Sequence, residues 1–211
     1  MKKLIASTAA AALMVGAANA AIVDFETAGP EGTPVLPTDF NDQGISFTST
    51  DGLQIVQTGA PQVGFFPDDT VEDDAFGDFF LGTDFDDNET DLTITYLTAV
   101  DALSFDLADI DDDEVFTIEV FGVGGALLAS QTITAGDPGT GNQQVVRVGF
   151  SDLGAQIAQV VINGTRGSGR LGIAFDNFNT TVNTAVPLPA AAPLFLAGLG
   201  GIAAYRRRRA R

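Results

Sequence analysis

Between residues 22 and 175 the chain is a succession of short runs rich in β-branched and aromatic side chains, each followed by Gly, Pro, Asn or Asp. Residues 103–107 and 116–120 alternate apolar and polar side chains, the period of a strand with one face buried and one face wet. Residues 22–25, 45–48, 53–56, 92–96, 127–133, 144–150, 159–162 and 171–175 have the same strand-forming composition. Only residues 151–158 hint at a helical turn. Ten short strands without a convincing helix predict an all-β fold, an antiparallel two-sheet sandwich of jelly-roll-like form. Residues 21–179 suffice for one domain with a sizeable core.

Charge and missing residue types narrow the chemistry. Of the 10 basic side chains, Lys2 and Lys3 lie near the N-terminus and five arginines in the last six residues. Arg147, Arg166 and Arg170 remain against 28 acidic side chains, so the body carries a net charge of −25. Nucleic acid and anionic membrane surfaces repel such a body; divalent cations and basic partners are drawn to it. The chain has no Cys and no His. That removes disulfides, thiolate chemistry, imidazole acid–base work and Ser-His or Cys-His nucleophiles. Carboxylate pairs and Ca²⁺ or Mg²⁺ assistance are what a catalyst could still use.

Both ends read as targeting segments. Residues 1–20 carry Lys2 and Lys3, an apolar stretch over 4–16 and a closing Ala18-Asn19-Ala20, the pattern of a Sec signal peptide with cleavage before Ala21. Residues 180–185 form a small polar linker. Residues 186–205 are uncharged, and Arg206, Arg207, Arg208 and Arg209 follow at once, as in a hydrophobic helix that enters a membrane with its Arg end in the cytoplasm. Val186, Pro187, Leu188, Pro189 and Ala190 open this segment. A proline motif, a small-residue hydrophobic stretch and a terminal arginine cluster resemble the PEP-CTERM sorting signal in its VPLPA form. The resemblance covers residues 186–211. It implies transient insertion in the inner membrane, recognition of Pro187 and Pro189 by an exosortase-type protease, and release to the envelope or exopolysaccharide. Leu188 stands where the commonest form has Glu.

Carboxylates gather in two clusters: Asp84, Asp86, Asp87, Asn88, Glu89 and Asp91, and Asp109, Asp111, Asp112, Asp113 and Glu114. Asp84, Asp86 and Asn88 match the first half of an EF-hand loop, but Glu89 sits where the turn requires Gly and Thr95 where the bidentate Glu belongs. Each cluster is either a Ca²⁺ loop or a solvated acidic turn. Residues 65–80 intersperse Phe65, Phe66, Phe76, Phe79 and Phe80 with acids. This reads either as a loop whose aromatics plug the open end of the sandwich or as a ligand-binding loop, with a short strand at 79–81.

A second resemblance joins the two ends of the body. Asp24 and Glu26 lie on the first strand, and Asp176 and Asn177 on the last, within a segment 172–178 that is similar to the closing strand of PEP-CTERM-bearing proteins. Jelly-roll carbohydrate-binding modules hold a structural Ca²⁺ at that position, which implies Asp24, Glu26, Asp176 and Asn177 as its ligands; Asp84, Asp86, Asn88, Asp111 and Asp113 are the alternative set. No catalytic residue is assigned. Asp106 and Glu119, on consecutive strands, are the carboxylate pair a glycosidase could use. The body has one Tyr and no Trp, a poor lining for such a cleft. The sequence thus points to an exported, non-enzymatic, Ca²⁺-stabilised envelope or extracellular-matrix protein that meets the Sec translocon and an exosortase, and exopolysaccharide as a further partner. The alternative is a polysaccharide-binding module or a carbohydrate-active hydrolase.

Overall fold

A computed structural model describes residues 21–58, 76–83, 89–108, 110–141, 144–167, 171 and 174–181. Eleven strands are β1 (Ala21–Val23), β2 (Ile45–Thr48), β3 (Leu53–Gln57), β4 (Phe79–Thr83), β5 (Glu89–Val100), β6 (Ala102–Ala108), β7 (Val115–Gly122), β8 (Leu127–Thr134), β9 (Val145–Phe150), β10 (Ile157–Thr165) and β11 (Ala174–Thr181). They form two antiparallel sheets. The first runs β3-β4-β11-β6-β9 with β1 also paired to β11; the second runs β2-β5-β10-β7-β8. Consecutive strands repeatedly cross from one sheet to the other, so the two sheets are woven from the whole length of the body. These residues belong to a compact unit, Asn19–Val182. Residues 1–18 and 183–211 lie outside the described residues.

Alternation builds the core. Leu103, Phe105 and Leu107 of β6 face inward, as do Leu92, Ile94 and Tyr96 of β5 and Phe116, Ile118 and Val120 of β7. Burial pushes the Tyr96 phenol well above its ordinary pKa, so it stays neutral. One end of the core is phenylalanine. Phe47 meets Phe178 with ring centroids 4.8 Å apart, and Phe25 meets Phe40 at 5.2 Å, both edge to face. Such pairs contribute about 0.5–1.5 kcal/mol each beyond their buried area.

β11 departs from strict alternation. Asp176 pairs with Asp106 and Asn179 with Ser104, so three steps of β11 oppose two of β6. Asn177 takes up the difference with φ 55°, in the left-handed region that Asn tolerates better than most residues. Phe175 and Phe178, three apart, therefore both face the core. Asp176 shares the outer face with Asp106, because directly opposed residues point the same way.

Two expectations are corrected. Residues 151–158 form no helix: Asp152 and Gly154 have φ of 57° and 72°, and β10 begins at Ile157. Phe76 and Phe80 do not plug the end of the sandwich. They cover the outer face of the first sheet with Val56, Ala108 and Ala174, a cluster apart from the main core. Phe65 and Phe66 lie outside the described residues. Among the described residues no helix is long and apolar enough to cross a membrane; the signal peptide, Val186, Pro187, Leu188, Pro189, Ala190 and the arginines 206–209 fall outside them.

Candidate functional site

The outer face of the first sheet carries two buried carboxylates side by side, Asp106 on β6 and Asp176 on β11. Their partners differ. Arg147 sits opposite Asp106 on β9. Its Nε donates to Asp106 Oδ1 and its Nη2 to Oδ2, both at 2.8 Å, a bidentate fork. The bulge lets Asn177 Nδ2 donate to the same Oδ2 at 2.9 Å. Asp106 is 2% exposed and Arg147 68%, so a buried carboxylate fixes the plane of a solvent-facing guanidinium. The hydrogen bonds and charge of Asp106 raise the pKa of Arg147.

One step along the same face, Ser104 opposes Gly149 on β9 and Asn179 on β11. Two residues along a strand are about 7 Å. The missing side chain at Gly149 leaves a notch of about 220 Å³ lined by Ala102, Ser104, Gly149, Phe150, Ser151 and Asn179. The Oδ1 atom of Asn179 is buried there and has no hydrogen-bond partner. A buried acceptor left open costs about 1–3 kcal/mol, which a donor on a water or on a ligand seated in the notch would recover.

On the other side of the bulge lies Asp176. Both of its oxygens are buried without a hydrogen bond of good geometry. The backbone N–H groups of Asn177 and Gly77 lie close enough to favour the charged form in part. Burial outweighs them, and with the charges of Asp24 and Glu26 it pushes the carboxyl up to about 8. Of the predicted quartet, Asp24, Glu26 and Asp176 lie near one another at the junction of β1 and β11, while the Asn177 amide turns to Asp106. Phe25, between the two acids, is buried with φ 57°, an uncommon conformation for a bulky residue. Asp24 accepts a 3.4 Å hydrogen bond from the Glu26 N–H, and Glu26 Oε1 accepts from Phe79 N–H at 3.3 Å. Glu26 occupies the space a side chain at Gly77 would fill: a Cβ there would lie 1.8 Å from Oε1. Among the described residues no three Asp, Glu, His or Cys side chains stand close enough, as they are, to enclose an ion. What the junction does supply is the ligand chemistry Ca²⁺ uses, carboxylate oxygen: Asp24 and Glu26 beside a buried Asp176 whose oxygens lack a hydrogen bond of good geometry.

The other acidic groups go elsewhere. Asp113 of the alternative metal set pairs with Arg166, Oδ1 to Nε at 3.4 Å, and Glu114 with the same guanidinium at 3.5 Å. Asp112 completes the ring around it. An arginine thus supplies the positive charge at this turn, which Asp111 opens by donating its N–H to Glu114. Asp84, Asp86 and Asn88 lie outside the described residues. Asp106 and Glu119 are not a pair: β6 belongs to one sheet and β7 to the other, and the two carboxylates stand on opposite outer faces. Arg147 and Asn179 carry no motif. The signal for Arg147 was its rarity, one of three basic residues in a body of net −25, placed in the alternating run of β9.

No family model matches the chain, and no curated protein matches it. Among solved structures it is similar to the module TmCBM61 in complex with β-1,4-galactotriose, at 11% identity and TM-score 0.42 over 67% of this chain and 93% of that one. It is similar to the K2 cleaved adhesin domain of Lys-gingipain, at 11% and 0.48 over 78% and 100%. It is also similar to the CBM22-1 xylan-binding domain of Paenibacillus barcinonensis Xyn10C, at 16% and 0.38 over 80% and 97%. At these identities and TM-scores the likenesses say nothing of what this chain binds.

Proposed function

We propose that this chain is an exported, non-enzymatic protein of the cell envelope or extracellular matrix that binds polysaccharide on the outer face of its first sheet. Ca²⁺ at Asp24, Glu26 and Asp176 closes its two ends. The observation that carries the binding reading is the arrangement around Arg147. A body with three basic residues holds one of them at the surface, in a plane set by Asp106, beside a notch with an open acceptor. Oriented guanidinium, amide and hydroxyl groups are what recognition of sugar hydroxyls requires. Separation of Asp106 from Glu119 removes the carboxylate pair a hydrolase would have used. The exported protein in native gels containing polysaccharide should be retarded without releasing reducing sugar. Equal mobility with and without every polysaccharide tried would leave only a structural matrix role, and turnover would return the hydrolase.

Delivery by the Sec translocon and release by an exosortase-type protease complete the reading, supported by residues 1–20 and 186–211. Replacing Pro187 and Pro189 with Ala should leave an uncut, membrane-held form. Intact mass of the wild-type envelope product should lack the arginines 206–209. A full-length mass would replace sorting with simple anchoring.

A further inference from the structure

We propose that the Arg147 notch selects neutral sugars, one ring at a time, and rejects uronate and sulfate groups; this rests on the polysaccharide reading above. Asn179 Oδ1 is an acceptor without a partner, so the ligand atom that meets it must donate a hydrogen. A hydroxyl can donate; a carboxylate or sulfate cannot. Arg147 would ordinarily recruit an anion, but its charge is already matched by Asp106 through two 2.8 Å hydrogen bonds. Two of its five N–H groups are used in that fork, and the other three can reach a neutral oxygen.

The surroundings act in the same direction. The body as a whole is at −25. An anionic chain lying across this sheet meets repulsion from that net charge. A neutral ring meets Ser104, Ser151 and the Asn179 amide in the notch, and a substituent one strand step further on meets Arg147. The cavity, about 220 Å³, is smaller than the roughly 300–1,000 Å³ of pockets that enclose drug-sized ligands. It therefore accommodates a single ring of a longer chain.

Gly149 supplies a test that leaves the fold intact. Its backbone is not left-handed, and an added Cβ would meet only Leu103 O and Ser104 Cβ, each at 3.8 Å, ordinary contact. Gly149→Val thus fills the notch with a side chain that strands favour. The exported chain, in detergent where its tail is retained, is titrated in affinity gels with a neutral β-glucan, a neutral galactan, polygalacturonate and a sulfated galactan, alongside Gly149→Val and Asn179→Ala. At least one neutral polysaccharide should bind, with retention unchanged between low and high salt. Gly149→Val should weaken it about tenfold or more at an unchanged Tm, and Asn179→Ala should weaken it less. Tighter binding to either charged polysaccharide overturns the proposed selectivity. Neutral binding that both variants leave intact overturns the site while the polysaccharide reading stands; the wider cleft of about 740 Å³ along Thr50, Asp51, Glu89 and Asn163 then becomes the place to look. Binding to none of the four overturns this proposal, and a wider polysaccharide panel separates that result from failure of the general reading.

Discussion

Asp176 is the residue where structure and solution conditions meet most directly. An unfolded Asp titrates near pH 3.9, and burial beside Asp24 and Glu26 moves this one to about 8 in the folded chain. Between those values the folded state holds a proton that the unfolded state has lost. The contribution to stability is therefore complete below about pH 4 and disappears as pH rises through about 8. Metal-free protein should lose melting temperature steadily over that window, and Asp176→Asn should flatten the slope. The proposed Ca²⁺ would change the sign of the neighbourhood by binding the ionised form, so its stabilising effect should grow with pH over the same range. Melting curves from pH 5 to 8 in EGTA and in excess Ca²⁺ measure both trends. A metal-free midpoint that rises with pH would contradict the buried, unpaired carboxylate.

The elements were legible wherever alternation ran unbroken. Phe116, Ile118 and Val120 announced β7, and Leu103, Phe105 and Leu107 announced β6, because their inward faces have no exceptions. β5 proved longer than its apolar run, since Thr90 is buried with its hydroxyl 2.9 Å from that of Thr83, a satisfied polar pair that composition does not flag. β11 was misplaced toward residue 171 because its bulge hides the period: Phe175 and Phe178 share a face only when Asn177 turns left-handed. Leu153 and Ile157, four apart, imitated a helical face, but Leu153 lies between the left-handed Asp152 and Gly154 and Ile157 opens β10. The bulge also does the site's work, presenting Asn177 to Asp106. Asn177→Val places a β-branched residue at φ 55° and removes the Nδ2 hydrogen bond, and it should cost about 1–3 kcal/mol. Asn177→Gly keeps the backbone and should lose less, measured as the difference in urea midpoints. Equal losses would mean that the side-chain bond, and not the conformation, holds the bulge.

At the scale of the whole molecule the sandwich has to join its first strand to its last without a disulfide, because the chain has no cysteine. β1 is three residues long and pairs only with the end of β11. Ladder hydrogen bonds over so short a strand hold it weakly, while Asp24 and Glu26 stand beside a buried Asp176 that becomes a third like charge once it ionises. The sequence showed these acids at both ends of the body. It could not show that Gly77, from the segment before β4, brings its backbone to Asp176 and leaves the space for Glu26, because the crossings between sheets leave no trace in composition. A Ca²⁺ ion held by these carboxylates stabilises the folded state by RT ln(1 + [L]/Kd), about 2.7 kcal/mol at a hundredfold excess over Kd, several degrees of melting temperature for a domain of this size. The exported chain at one ionic strength should therefore melt higher in Ca²⁺ than in EGTA, with a smaller shift in Mg²⁺, which demands stricter geometry. Gly77→Ala, whose Cβ would displace Glu26, and Asp176→Ala should each abolish the Ca²⁺ shift. A shift that survives both variants would place the ion at another acidic group, and equal midpoints in Ca²⁺ and EGTA would mean that Phe25, Phe40, Phe47 and Phe178 close the ends unaided.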